Sequence, residues 1–216
     1  IVMDDGTTTR ISENHYHMTT TTAQAANVLS HLEYYLQVVW PDLNVNVVST
    51  TEQWAGAALA GPKSREVLSK LFPELDVSNE GLPFMGYLEG KLFGVSARIF
   101  RISFSGELAY EINVPSDYGM FMWERITEIG EEFNMQPYGT EALSTLRIEM
   151  GHVAGPELDG RTIPYDVSLE GLVSKKKDFI GKRSLIKEAF NKKDRQKIVG
   201  LVPLDRKSSI PEGSHL

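Results

Sequence analysis

The sequence contains no cysteine among its 216 residues. This absence excludes disulfide bonds, thiolate zinc sites, cysteine-ligated iron–sulfur clusters and cysteine nucleophiles. The G-x-S-x-G elbow, the Walker loop, the G-x-G-x-x-G fingerprint and the H-E-x-x-H motif are also missing. Serine hydrolases, P-loop enzymes, Rossmann enzymes and zincins are therefore not indicated.

Runs of five or six basic residues and long apolar runs are absent as well. The chain carries 22 Lys and Arg against 29 Asp and Glu, a formal net charge of −7. It therefore lacks the basic footprint of proteins that bind nucleic acid or anionic membranes. No apolar stretch is long enough for a transmembrane helix, and the N-terminus has no signal-peptide pattern. We predict a cytoplasmic protein without nucleic-acid or membrane partners.

The two ends of the chain indicate a fragment. Residues 1–3 are apolar and are typical of the middle of a strand, whereas residues 211–216 are typical of a turn that leads onward. We expect this piece to belong to a longer protein and to carry only part of its functional apparatus.

The residue patterns predict an α+β fold with helices on largely antiparallel sheets. Residues 10–22 fit a hairpin, because Asn14 tolerates left-handed backbone and the flanking Thr residues favour strands. Helical spacing of apolar residues predicts helices, and period-two alternation predicts strands. The predicted strands are 44–49, 55–60, two within 86–104 joined at Glu89-Gly90-Lys91, 108–114 and one near 197–203, and the predicted helices are 23–40, 61–72, one after Asp117, 139–150 and 181–190.

The helix after Asp117 places Met120, Trp123, Ile126 and Ile129 at helical spacing. Apolar residues at this spacing lie on one helix face. We therefore predict that these four side chains form the buried face of that helix.

Two acidic positions are candidates for chemistry. Asp4-Asp5 precedes a glycine and a Thr-rich strand, where a carboxylate either binds local N–H groups in a turn or orients and protonates a substrate nitrogen. Glu111 lies among mostly apolar strand neighbours, where an unpaired charge is unfavourable. Glu111 therefore either pairs with an arginine such as Arg101 or Arg147, or points at a polar ligand.

Histidine and glycine mark two further segments. His15 and His17 share one strand face, as a metal site requires, but no third ligand lies near in sequence, so we predict no metal site. The segment 151–157 is rich in glycine for a structural connector. Gly155-Pro156 needs a special backbone and fits the lining of a pocket.

Several ordered motifs resemble one known family over essentially the whole chain. They are residues 3–10, 12–16, 19–22, 51–54, 59–65, 104–107, 138–142 and 176–183. They resemble the aminomethyltransferase family, whose archetype is the T-protein of the glycine cleavage system. Within it they are most similar to the C-terminal half of the alpha subunits of heterotetrameric sarcosine oxidases.

The resemblance implies a tetrahydrofolate-binding fold with ferredoxin-like units and assigns roles to residues. Asp5 corresponds to the family's catalytic aspartate, and Glu111 to the glutamate that binds the pterin ring. Phe104 stands where the T-protein usually has Tyr, which removes a phenolic hydrogen bond and leaves stacking. Thr21 falls where the T-protein has Asn, and Arg101 is a further candidate for cofactor binding.

One departure affects the reaction that the resemblance implies. Leu143 falls where the T-protein has an arginine. This change, together with the change at Thr21, argues against a T-protein-like reaction on a lipoyl arm. It is compatible with the sarcosine oxidase branch.

The implied function is oxidative demethylation of sarcosine to glycine with transfer of the one-carbon unit to tetrahydrofolate, giving 5,10-methylenetetrahydrofolate. The implied partners are the beta, gamma and delta subunits, and FAD, FMN and NAD belong to the full complex rather than to this segment. The predicted domains are a folate-binding domain over 1–194, without its N-terminal part, and the start of a barrel domain over 195–216.

Two other functional classes stay open at this stage. One is a glycine-cleavage-type aminomethyltransferase or another folate-dependent demethylase. The other is a non-catalytic folate-binding assembly module, although the cysteine signature of such relatives is missing from the segment 151–157.

Overall fold

The computed structural model describes residues 1–211, 213 and 214. The chain divides into two compact units, one of which is Asp4–His152, while the other combines Ile1–Met3 with the residues from Val153 onward. The predicted α+β class with antiparallel sheets is confirmed. Within the described residues, no helix is long and apolar enough to cross a membrane.

The unit Asp4–His152 begins with the predicted hairpin. Strands β1 (Thr8–Ser12) and β2 (His15–Met18) pair antiparallel, and the hairpin is closed by the Thr19 N–H, which donates to the Thr7 carbonyl at 2.8 Å. The helix predicted over 23–40 follows. It consists of a 3₁₀ turn, helix α1 (Ala25–Tyr34) and one π turn that ends at Val39, just before Pro41.

A four-stranded antiparallel sheet forms the centre of this unit. Its strands, in the spatial order β3-β6-β5-β4, are β3 (Trp54–Ala60), β4 (Tyr87–Leu92), β5 (Val95–Phe100) and β6 (Ala109–Pro115). The unit also contains helices α2 (Ser64–Leu71), α3 (Gly119–Glu131) and α4 (Thr140–Met150). A ferredoxin-like unit has a helix before its fourth strand, whereas here β5 leads into β6 without one and α3 comes after β6.

The hydrophobic core lies on one face of the sheet. Successive strand residues point to opposite faces, so Tyr110, Ile112 and Val114 of β6 point inward together, and each is fully buried. Buried side chains of α2 and α3 cover them, namely Val67, Leu68, Leu71, Met122 and Ile126. The opposite face of β6 carries Ala109, Glu111 and Asn113.

The predicted inner face of α3 is half wrong. Ile126 is buried and Ile129 packs against the core, but Met120 is 70% exposed and Trp123 is 49% exposed. The 3₁₀ turn Ser116–Tyr118 precedes the helix, and the face that meets the sheet carries Met122 and Ile126. Spacing alone did not distinguish this face from the one beside it.

Two other local predictions are wrong. No strand forms at 44–49 in the part of the chain that the structure describes, and Val48 is 76% exposed, because no strand lies beside this segment to pair with it. The turn between β4 and β5 lies at Phe93-Gly94 rather than at residues 89–91. Both turn residues have positive φ, 46° and 94°, as a tight hairpin turn requires.

The unit from Val153 onward has little regular structure. Its described residues contain the short helix α5 (Lys182–Leu185) and several 3₁₀ turns, one of which, Glu188–Phe190, completes the region predicted as a helix at 181–190. The strand predicted near 197–203 is not formed there. The Ile198 N–H instead donates to the Asp166 carbonyl at 2.7 Å, without a neighbouring strand. The domain boundary at 194 stays a prediction.

Asp166 is the main polar anchor of this smaller unit. It is only 8% exposed, and its carboxylate accepts the Ile163 N–H at 2.9 Å and the Arg195 Nε–H at 2.8 Å. The Arg195 Nη2 group contacts the same carboxylate. The hydrogen bond from Arg195 is the largest cause that lowers the pKa of Asp166.

We expect Asp166→Asn to lower the free energy of unfolding of this unit by about 2 kcal/mol, since the lost bonds are made to a charge. A lowered pKa means that this stabilisation is present above the ordinary value of 3.8 and is lost as pH falls through the folded-state pKa. Urea unfolding of both forms between pH 3 and 7 measures the difference. An equal loss at every pH would contradict the assignment.

Candidate functional site

Glu111 and Tyr87 lie with two apolar residues on the face of the central sheet that is opposite the core. Ala58 of β3, Glu111 of β6, Phe100 of β5 and Tyr87 of β4 lie side by side in register across the four strands. The β1–β2 hairpin lies over part of this face, because the ring of His17 stacks on that of Phe100 with centroids 5.8 Å apart. Ala58 is small and exposed, so the surface beside Glu111 is open.

Glu111 is a half-buried carboxylate without a partner among the described residues. It forms no ion pair with Arg101 or Arg147, and it accepts no hydrogen bond within that part of the chain. Burial raises the pKa of this carboxyl above its ordinary value. Of the two sequence-based alternatives, the structure therefore leaves the one in which Glu111 is available to a polar ligand.

Asp4 holds the segment that contains Thr21. One Asp4 carboxylate oxygen accepts the Thr21 backbone N–H at 2.8 Å, and the other accepts the Thr21 hydroxyl at 2.9 Å. Because these bonds engage both Thr21 donors, the backbone at Thr21 is fixed relative to the loop of Asp4 and Asp5. The first aspartate of the pair thus has the local bonding that the turn interpretation predicts.

Asp5 is the half-buried member of the pair. Burial and the neighbouring Asp4 carboxylate raise the pKa of Asp5, while its backbone and His152 act in the opposite direction. A carboxyl whose pKa is raised toward neutral pH exchanges a proton more readily than an ordinary surface aspartate. Asp5 therefore has the electrostatic surroundings of a proton-transfer group.

Phe104 and His152 lie against each other. Their ring centroids are 5.5 Å apart and the ring planes differ by 27°. One face of Phe104 is thus covered by the imidazole. His152 comes directly after the left-handed residue Gly151 that ends α4, and its N–H and carbonyl both bond to Arg147.

Gly106 ties the loop of Phe104 to the end of α4. Its φ of +83° is a conformation that glycine adopts without strain, and a Cβ there would lie 2.0 Å from Met150 Cγ. The Gly106 N–H also donates to the Ser103 hydroxyl at 3.0 Å. Glycine at this position is therefore favoured by the turn, and a larger residue would also have to displace the Met150 side chain.

We expect Gly106→Ala to destabilise the chain by more than the roughly 1–2 kcal/mol of a residue forced into the left-handed region, because the added methyl also displaces Met150. Gly94→Ala is the matched control. Gly94 has a φ of +94°, but a methyl group added there would meet no atom within 4 Å. Thermal unfolding of both variants separates the two effects, and equal losses would contradict a packing role for Gly106.

Arg101 lies away from the other predicted site residues. Its Nη1 group donates to Asn79 Oδ1 at 2.9 Å and to the Leu82 carbonyl at 3.0 Å, and it lies close enough to Tyr110 to act on the pKa of that phenol. Tyr110 belongs to the core face, opposite Glu111. The structure therefore links Asp5, Thr21 and Phe104 through Asp4 and His152, but it does not bring Arg101 to them.

A cavity of about 410 Å³ lies between the hairpin and the central sheet. It is lined by Thr7, Thr8, Thr9, Arg10, Ile11, Met85, Gly86, Tyr87, Phe100 and Ile102. Two of these residues adjoin the predicted site, since Thr7 follows Asp5 by two positions and Phe100 is the cross-strand partner of Glu111. The cavity is of the size that holds a small organic molecule.

A sequence model described as the GCVT N-terminal domain matches residues 1–177 of the chain. The chain belongs to the GCVT N-terminal domain family. This confirms the resemblance to the family, and the roles of Asp5, Glu111 and Phe104 stay predictions. All three lie in the unit Asp4–His152, which is wholly inside the matched region.

Relatives of this GCVT-domain chain fall into two groups. The chain is 48% identical to the sarcosine oxidase subunit alpha of Rhizobium meliloti (strain 1021) and 46% identical to that of Corynebacterium sp. (strain U-96), over 100% of its length in both cases. It is 30% identical to the aminomethyltransferase of Chloroherpeton thalassium (strain ATCC 35110 / GB-78) over 88% of its length. The chain spans 22% and 23% of the two alpha subunits and 51% of the aminomethyltransferase.

Sequence reasoning missed the contribution of His152 to this site of the GCVT domain. The glycines of the segment 151–157 predict a pocket lining, but they assign no role to the histidine among them. The signal was present, because a histidine directly after a helix-ending glycine has a fixed backbone position. The contact of His152 with the Phe104 ring could not be predicted locally, because Phe104 lies on a loop about 50 residues earlier in the chain.

Proposed function

We propose that this GCVT-domain chain binds tetrahydrofolate and transfers a one-carbon unit to it. The observation that carries the proposal is the half-buried Glu111 carboxylate, which has no partner among the described residues and stands on an open sheet face. Such a group is retained against its electrostatic cost where a ligand supplies the missing donors. The family membership supports folate as that ligand.

The residues present fit a reduced pterin. Glu111 would accept hydrogen bonds from the pterin amino group and ring N–H, which are adjacent donors that suit a carboxylate. Phe104 would stack on the ring with the face that His152 does not cover. When bound, tetrahydrofolate supplies the nucleophilic nitrogens that accept a one-carbon unit at the formaldehyde oxidation level.

Asp5 is proposed as the catalytic residue. Its carboxylate oxygen would take up the proton that a substrate nitrogen releases and would stabilise positive charge that develops there. Asp4 fixes the loop on which Asp5 is placed, by its two hydrogen bonds to Thr21. Thr21 is therefore proposed as a support of the site, through its backbone. The role of Arg101 in cofactor binding stays a proposal.

For the longer protein that the relatives represent, we propose the activity named in the alpha subunits, sarcosine oxidase. Sarcosine would be demethylated oxidatively to glycine, and the one-carbon unit would pass to tetrahydrofolate as 5,10-methylenetetrahydrofolate. The FAD, FMN and NAD chemistry, and the beta, gamma and delta subunits, would belong to parts of the complex beyond this chain. A cytoplasmic location stays a prediction.

The second candidate is aminomethyl transfer of the glycine-cleavage type, as named in the relatives at about 30% identity. The higher identity to the alpha subunits, 48% over the whole chain, favours the first. A non-catalytic folate-binding module is the third candidate. The segment 151–157 lacks the cysteine signature of such relatives, which argues against this candidate.

The product distinguishes the three candidates. The complete protein is incubated with methyl-¹³C sarcosine, an electron acceptor and tetrahydrofolate, and the ¹³C signal is followed by NMR. We expect labelled 5,10-methylenetetrahydrofolate to form, and free formaldehyde to replace it when folate is omitted. Formation of methylenetetrahydrofolate only from an aminomethylated lipoyl carrier would establish the second candidate. The third candidate, or a demethylase that acts on another donor, would give no more folate product from either donor than free formaldehyde and tetrahydrofolate form without protein.

A further inference from the structure

His152 lies against Phe104 and acts electrostatically on Asp5, the two groups of the proposed catalytic cluster. Its ring stacks on Phe104 with 5.5 Å between centroids, and its charge acts on the Asp5 carboxyl. Three separate segments meet here, namely the loop of Asp5, the loop between β5 and β6 that carries Phe104, and the residue that follows α4. A single side chain thus connects the group proposed for proton transfer with the group proposed for stacking.

The backbone of His152 is held more firmly than that of an ordinary loop residue. Its N–H donates to the Arg147 carbonyl at 2.9 Å, and its carbonyl accepts Arg147 Nη1 at 3.1 Å. Gly151, with a φ of +77°, turns the chain out of α4 immediately before it. Met150, the last residue of α4, packs against Gly106 in the Phe104 loop. The imidazole therefore occupies a defined place.

We propose that His152 is a positioning residue of the one-carbon site, whose imidazole fixes the Phe104 ring and, when protonated, places a positive charge beside the Asp5 carboxylate. The description of this cluster as a one-carbon site rests on the proposed function. The interactions of His152 with Phe104 and with Asp5 can be measured without following a reaction.

The charged groups around Asp5 determine in which direction each of them moves its pKa. The charged groups that act on Asp5 are Asp4, on its own segment, and His152, while Arg147 of α4 donates to the backbone carbonyl of His152. Asp4 favours the protonated form of Asp5, and a protonated His152 favours the carboxylate. Removing the imidazole therefore removes an interaction that favours the Asp5 carboxylate.

The test uses two variants of the 216-residue chain. His152→Phe keeps an aromatic ring against Phe104 and removes the charge, whereas His152→Ala removes both. The Asp5 carboxyl is titrated by ¹³C NMR in each form. His15→Gln is the matched control, because His15 is exposed on β2 and the substitution removes an equivalent charge that does not act on Asp5.

We expect the Asp5 titration to move to higher pH in His152→Phe and to stay unchanged in His15→Gln. With 5-formyltetrahydrofolate as the probe, we expect the affinity of His152→Phe to stay within about threefold and that of His152→Ala to fall about tenfold, the weight of an aromatic contact. An unchanged Asp5 titration in His152→Phe would overturn the electrostatic role. Equal affinities of the two variants would overturn the packing role.

The outcomes also separate this proposal from the proposed function. If the wild-type chain and the complete protein both fail to bind the probe while Asp5 still shifts in His152→Phe, the folate assignment fails and the electrostatic coupling stands. Far-UV circular dichroism verifies the fold of each variant. If His152→Phe does not fold, His152→Gln replaces it in the titration, since it also removes the charge.

Discussion

Asp5→Asn is expected to lower the rate of one-carbon transfer by about 10²- to 10⁴-fold, the range that a positioned proton-transfer group supplies. The amide has nearly the shape of the carboxyl but cannot take up and return a proton. The affinity for 5-formyltetrahydrofolate is expected to stay within several-fold, because Glu111 and Phe104 are proposed to provide most of the binding. Single-turnover transfer in the complete protein, together with calorimetric titration, measures both quantities.

Asp4→Asn is the control for this prediction, since it changes the adjacent carboxylate. Asp4 acts through its two bonds to Thr21 and through its charge beside Asp5, rather than on a substrate nitrogen. Its loss is therefore expected to loosen the loop and to reduce affinity and rate together by a modest factor. A loss of affinity in Asp5→Asn as large as the loss of rate would show that Asp5 binds rather than transfers a proton.

Glu111→Gln is expected to make the chain more stable and to weaken folate binding at the same time. Removing a half-buried charge without a partner should raise the free energy of unfolding at pH 7 by about 1 kcal/mol, or about 2–4 °C in the melting temperature. The amide presents donors to the pterin donors, so we expect affinity to fall about 100-fold, which corresponds to about 2.7 kcal/mol. A variant that is more stable but binds folate more weakly is what we expect when a carboxylate is kept for function rather than for stability.

The pH dependence of the Glu111 effect follows from the raised pKa. The folded state holds the Glu111 proton more tightly than the unfolded state does, so stability is lost as pH rises from the ordinary value of 4.5 through the folded-state pKa. Glu111→Gln should therefore match wild-type stability most closely below pH 4.5 and exceed it near neutral pH. Glu107→Gln, at an exposed position, is the control and should show neither effect. A wild-type advantage at pH 7 would contradict the account.

The elements with strong local signals could be predicted from the sequence. The hairpin around Asn14, helices α1, α2 and α4, and strands β3 and β6 all form where spacing and turn residues placed them. Residues 44–49 alternate like a strand but have no neighbouring strand. Because a strand is stabilised by pairing across the sheet, alternation shows only that a segment is suited to pair.

The turn between β4 and β5 shows a second reason why prediction from sequence fails. Gly90 looked like a turn glycine, yet it lies inside β4, where a Cβ would come within 2.6 Å of Leu75 Cδ1. The turn instead uses Phe93, a residue that rarely adopts positive φ. A glycine in a strand pattern can mark close packing as well as a turn, and only the tertiary contact distinguishes the two.

Some features of the candidate site could be predicted from local sequence, whereas others depend on contacts between residues far apart in the chain. Period-two alternation placed Glu111 on the sheet face away from Tyr110, and its lack of a partner was one of two alternatives that spacing could not decide. The pairing of Phe104 with His152, and of Asp4 with Thr21, joins residues that are 48 and 17 positions apart. Such contacts depend on how loops meet, which periodicity does not encode.

Calorimetric titration of this chain with 5-formyltetrahydrofolate, in the wild-type form and as Glu111→Gln, tests the central claim most directly. The account predicts saturable binding with a dissociation constant on the order of micromolar for the wild type, as about 8 kcal/mol of binding free energy gives, and binding about 100-fold weaker for the variant. Equal affinity of the two forms would contradict it. So would the absence of binding in both the chain and the complete protein.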